Sequence, residues 1–84
     1  MNAQTANEQK LRAIFASSLD IPEDQVQDSL AYNSIEQWDS IAHMALVAAI
    51  DEGFGIMRDT DDVIALSSFG KAKEILKKYG VEFR

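Results

Sequence analysis

The sequence predicts an all-α fold: a small four-helix bundle of three longer helices and one short one, with a long first connection. Three observations predict it. Apolar residues recur three and four apart in separate stretches, helix-starting and helix-stopping residues bracket those stretches, and nothing alternates with the two-residue period of a strand. At 84 residues the chain makes one domain, 1–84, without room for a second core.

Thr5-x-x-Glu8 has the spacing of a capping box, and Leu11, Ile14, Phe15 and Leu19 follow at helical intervals. They predict a first helix over 6–19, closed by Asp20-Ile21-Pro22. The connection over 20–38 carries spaced apolar residues (Ile21, Val26, Leu30, Tyr32, Ile35, Trp38), with a turn of helix near 23–26. A connection this long is usually functional or packed over the core, and the apolar spacing favours packing. Asp39 is placed to cap a second helix over 40–52, which is apolar around most of its circumference, as a central helix is. Gly53 and Gly55 bracket Phe54 and end it. Thr60-Asp61-Asp62 forms the acidic first turn of a short helix through Val63 and Leu66. Ser67-Ser68 can cap a last helix in which Phe69, Ala72, Ile75, Leu76 and Tyr79 make one stripe. Lys77 and Lys78 suit its negative end, and Gly80 stops it.

Composition excludes several chemistries. Without cysteine there is no disulfide, thiolate metal site or intrinsic thiol nucleophile. A lone histidine, His43, rules out a multi-histidine metal cluster and leaves a serine–histidine pair as the single nucleophile–base option. That scarcity argues for a protein that is not an enzyme. The net charge of −6 disfavours nucleic acid, and the lysines at 71, 73, 77 and 78 come without an aromatic platform. No apolar stretch is long enough for a bilayer, and the polar N-terminus has no signal-peptide pattern, so a cytoplasmic monomer is expected.

Asp39-Ser40 stands directly ahead of the longest apolar helical run, Ile41, Met44, Leu46, Val47, Ile50 and Phe54. That places a hydroxyl at a helix N-terminus, where backbone N–H groups and the positive end of the dipole favour an attached phosphate. Ser40 is therefore read as a covalent attachment point. The plainer alternative is a first-turn serine with no chemistry, and Asp39 caps the helix under either reading.

Trp38-Asp39-Ser40-Ile41, the helix behind it, the closing Phe54-Gly55-Ile56, the acidic short helix, and Ser68-Phe69 with its final amphipathic helix together resemble an acyl carrier protein. The resemblance covers 11–79 in the same element order. It implies that Ser40 receives 4'-phosphopantetheine from coenzyme A through a magnesium-dependent phosphopantetheinyl transferase, with Asp39 the adjacent recognition residue. It further implies that the arm's thiol holds acyl or aminoacyl groups as thioesters. The partners implied are that transferase, an acyl-activating ligase or acyltransferase that loads the arm, and a downstream acceptor enzyme. Fatty-acid, polyketide or secondary-metabolite biosynthesis are the settings that follow. The apolar stripes are core, lining at most a cavity for an acyl chain.

One departure narrows this. Carriers of bacterial fatty-acid synthesis are rich in acids on the outward face of the second helix. Here Ala42, Ala45 and Ala49 replace most of that stripe, while Asp51 and Glu52 remain near its end and Glu36 and Asp39 near its start. Met44 and Ala48 add a small apolar patch. The partner face is therefore expected to comprise Ile41, Met44, Ala45, Ala48, Asp51 and Glu52, serving a specialised pathway. The rival function is a non-covalent helical interaction module that never receives the arm. A Ser40–His43 hydrolase is a distant third, since no orienting acid or oxyanion hole is apparent. His43 is expected at the surface, near enough to touch phosphate when protonated. Asp59, Asp61 and Asp62 fail an EF-hand pattern at Ile64 and Gly70, so they are expected as a helix start and a solvated, partner-facing surface. Trp38 is expected as a buried or half-buried lid, and the last helix's lysines as a solvated face.

Overall fold

The computed structural model describes residues 3–57 and 59–81, with side chains from residue 6 onward. Four helices follow in order: α1 (Ala3–Leu19), α2 (Ser40–Phe54), α3 (Thr60–Ala65) and α4 (Phe69–Lys78). One 3₁₀ turn, Glu23–Gln25, lies in the first connection at the place anticipated for a turn of helix. Among the described residues there is no strand, and one isolated antiparallel bridge joins Ala31 to Ser68. The all-helical bundle is thus the observed fold. α1 begins at Ala3, three residues before the start expected at Ala6, so Thr5 lies inside the helix and does not cap it; its side chain lies outside the described residues.

Most helix ends fall where local chemistry puts them. Leu19 ends α1, and Asp20 takes the left-handed conformation (φ 57°) that turns the chain toward Ile21. Asp39 caps α2 and Ser68 caps α4, each side chain accepting the N–H three residues on, from Ala42 and Lys71. The stop of α2 needs correction. Gly53 is not a terminator but a helical residue at the crossing with α1, where an added Cβ would meet Ile14 Cδ1 at 2.7 Å. The terminator is Gly55, left-handed at φ 63°, whose N–H bonds back to the Asp51 carbonyl. Open space surrounds Gly55, so Gly55→Ala brings backbone strain without a clash. It should cost about 1–2 kcal/mol, read as a lower urea midpoint at unchanged slope.

The core is built around Phe15. Its ring meets Trp38 edge-on at 5.5 Å and Phe69 edge-on at 5.0 Å, so α1, the long connection and α4 converge on one side chain. Leu11, Leu19, Leu46, Val47, Ile50 and Leu76 fill the space around this trio. The connection over 20–38 is packed as its spacing implied: Ile21, Val26, Leu30 and Trp38 are buried. Arg12 Nε donates to the Val26 carbonyl at 2.9 Å, tying the 3₁₀ turn to α1. Further on, Tyr32 N–H donates to Ser67 and Phe69 N–H to Leu30, sewing the connection to the joint between α3 and α4.

The charged residues assigned to solvent are partly drawn inward. Asp62 is buried, not solvated; its carboxylate accepts from Lys78 Nζ at 2.6 Å and from the Tyr79 hydroxyl. Lys73 bridges to Asp28 at 2.8 Å and lies over the Phe69 ring. Lys71, Lys77 and Lys78 remain exposed, as do Asp59 and Asp61. The physical reason is shared: long cationic stems cover apolar rings while their heads find acids from distant parts of the chain.

Candidate site at the start of α2

Ser40 is the first residue of α2, and its side chain is exposed. Asp39 Oδ1 takes the Ala42 N–H at 2.9 Å, and the Asp39 carbonyl takes the His43 N–H at 2.8 Å. The amides of Ser40 and Ile41 sit in the first turn, where no preceding carbonyl of the helix can reach them. A tetrahedral anion on the Ser40 oxygen would lie beside these two amides and the positive end of the helix dipole, stabilised by about 0.3–1 kcal/mol at an exposed position. Asp39 works against that anion electrostatically, so capping is what its carboxylate contributes to the fold. The residues present therefore fit a phosphodiester on Ser40: an accessible oxygen, donors behind it, and only the exposed Tyr32 hydroxyl beside it.

Tyr32 adjoins the serine and Ile64 shares a groove with Tyr32, and spacing singled out neither for this role. The Tyr32 hydroxyl lies 3.4 Å from Ser40 Oγ, brought there by the bridge that holds residues 31 and 68 together. Ile64, on α3, stands 78% exposed beside a shallow groove that Tyr32, His43, Val63 and Ser67 also line. Nothing in the local sequence announces these neighbours, because Tyr32 lies in an irregular segment and Ile64 on another helix.

His43 is placed differently from the expectation. It is half-buried, and both ring nitrogens are engaged. Trp38 Nε1–H donates to Nδ1 at 2.9 Å, which leaves the proton of the neutral ring on Nε2, directed at the Val63 carbonyl at 2.9 Å. The ring also stacks on Trp38 and meets Tyr32 edge-on. His43 thus joins the loop before α2 to α3, and its nitrogens point away from the role of a base for Ser40. Trp38 is fully buried, at the inner limit of what was anticipated for it.

The six residues assigned to a partner face divide five to one. Ile41, Met44, Ala45, Ala48 and Glu52 are exposed along α2, with Ile41 at 83%. Asp51 is half-buried and helps line an apolar cleft between α2, α3 and α4, so it does not belong to the outward surface. Among the alanines that stand where acids were looked for, Ala45 is exposed, but Ala42 packs against the core and Ala49 borders a groove against α1. The cleft is lined mainly by Val47, Ile50, Val63, Leu66, Ile75 and Leu76. Its free volume is about 20 Å³, room for one water and not for an acyl chain.

No helix among the described residues is long and apolar enough to cross a membrane. Compared with models of known protein families and with curated proteins, the chain finds no match in either.

Proposed function

We propose that this chain is an acyl carrier protein, a covalent shuttle and not a catalyst, with Ser40 the attachment point for 4'-phosphopantetheine. The observation that carries the reading is the placing of Ser40: an exposed hydroxyl on the first turn of the helix that gives Leu46, Val47 and Ile50 to the core, capped by Asp39. When attached, the arm supplies a terminal thiol that this cysteine-free chain lacks, and acyl or aminoacyl groups ride on it as thioesters. The protein's own residues hold the attachment oxygen outward, offer first-turn donors to the phosphate, and present a contact surface beside it. Partners are a phosphopantetheinyl transferase, a loading ligase or acyltransferase, and an acceptor enzyme. Exposed Ile41, Met44 and Ile64 support brief apolar contacts around the arm, and the net charge of −6 suits steering by basic partner surfaces.

Incubation with coenzyme A, magnesium and a broad-specificity transferase tests the reading, the expected result being a mass gain of one phosphopantetheine. A chain left unmodified by several competent transferases is instead an interaction module that binds without the arm. The poor acidic stripe supports a specialised pathway, so fatty-acid synthesis enzymes should load or elongate the carrier poorly. Ala45→Glu should improve their kcat/KM, because Ala45 is exposed on α2. Ala49→Glu should help less, since its side chain would first have to leave the groove against α1. Efficient service of the unaltered chain would remove the specialised assignment and leave Ser40 standing.

A further inference from the structure

α3 is six residues long, too short to hold a helical shape alone. Ile64, in its middle, faces solvent, while Val63 packs against the core and Leu66, just beyond its end, is buried in it. Two polar ties reach it from other parts of the fold. His43 Nε2 holds the Val63 carbonyl, and the end of α4 holds Asp62 through Lys78 and Tyr79. The Tyr79 hydroxyl also accepts the Asp59 N–H at 3.1 Å, so the same phenol grips the residue that precedes the helix. Beneath α3 lies the apolar cleft, with room as it stands for no more than a water.

We propose that Asp62 is a latch: α3 swings as a unit from a standing bundle of α1, α2 and α4, and the grip of Lys78 and Tyr79 on the Asp62 carboxylate sets how often the cleft beneath it opens. The asymmetry of the pair is what makes it a latch. Asp62's side chain is 7% exposed and Lys78's 57%. Once its partners leave, the carboxylate must be rehydrated, and movement of α3 is the shortest route to water. Lys78 already has water and loses little.

Charge sharpens the device. Hydrogen bonds from Lys78 and then Tyr79 hold the Asp62 carboxyl below its ordinary range, against the opposing effect of burial. The Asp62 hydrogen bond pushes Lys78 upward, and the same bond with burial pushes Tyr79 upward, so the phenol stays a donor. A depressed folded value means the latch contributes fully above the unfolded carboxylate range and is lost as pH falls through the lowered value. It is therefore shut at neutral pH. Other titrating groups face this region: Asp59 before α3, Asp51 on α2, His43 at Val63, and Lys78 and Tyr79 at the end of α4.

Amide hydrogen exchange on the unmodified protein reads the latch independently of the carrier function. In Asp62→Asn at neutral pH, amides 62–66 should exchange about tenfold faster than in the parent while those of α1 and α2 keep their rates, the mark of local and not global opening. In the parent, the exchange of α3 relative to α1, corrected for intrinsic rates, should rise on acidification; in Asp62→Asn it should be high and flat. Asp59, Asp51 and His43 are present in both proteins, so a flat profile identifies Asp62. Should Asp62→Asn fail to fold, Tyr79→Phe and Lys78→Met remove one partner each and should give the same local acceleration. Unchanged α3 rates overturn the proposal, and so does equal acceleration of α1, which would make Asp62 a general stabiliser.

Discussion

On the proposed carrier function, Ser40→Ala should leave the fold intact and abolish uptake of phosphopantetheine, the largest functional effect expected of any single substitution here. Ser40 is exposed, and the cap of α2 is supplied by Asp39, so removing the hydroxyl touches no buried contact. Stability should move by no more than about 0.5 kcal/mol. Intact-mass measurement after transferase treatment checks the chemistry, and thermal denaturation of both proteins checks that the variant is folded. Other serines have other work. Ser34 Oγ donates to the Ala31 carbonyl at 2.6 Å, and Ser68 Oγ caps α4. Modification that persists in Ser40→Ala would move the attachment to an exposed serine such as Ser29 or Ser67, and the carrier reading would need a different geometry. Esterase activity lost in both Ser40→Ala and His43→Ala would revive a hydrolase, against the engagement of both His43 nitrogens elsewhere.

Trp38→Ala carries the largest expected effect on stability. The indole is fully buried, meets Phe15 edge-on, stacks on His43 and donates to it. Emptying that volume should cost about 3–5 kcal/mol, comparable to the whole stability of about 3–5 kcal/mol that a core this small supplies. Much of the Trp38→Ala population should therefore be unfolded at room temperature, seen as loss of far-UV helix signal. Trp38→Phe separates packing from hydrogen bonding. It keeps an aromatic partner for Phe15 but leaves His43 Nδ1 without its donor, and should lose clearly less. Equal losses in the two variants would mean that the indole N–H, and not the ring volume, is what the fold depends on.

Four helices, the Asp39 cap and the Ser68 cap were legible in the sequence because each depends on neighbours within one or two turns, and the packed connection because apolar residues are spaced along it. Leu11, Phe15 and Leu19 announce α1 by spacing alone, and Asp39 announces its cap by chemistry alone. Gly53 misled for a related reason. Glycine near a helix end usually terminates, and that Ile14 of another helix needs the room at Gly53 is a fact about two helices at once.

The sequence alone therefore determined the fold class, the starts of α2, α3 and α4 and the place of Ser40, all properties of local periodicity and backbone hydrogen bonding. Tertiary structure alone decided that Asp62 is buried against Lys78 and Tyr79, that His43 bridges Trp38 to Val63, that Tyr32 stands over Ser40, and that Asp51 turns from the outward face. The pairs that reach α3 join residues 16 to 20 positions apart. Periodicity records which side of a helix is apolar. Which distant group meets a polar side chain on that helix depends on how the helices cross, and the crossing is set only when the core closes.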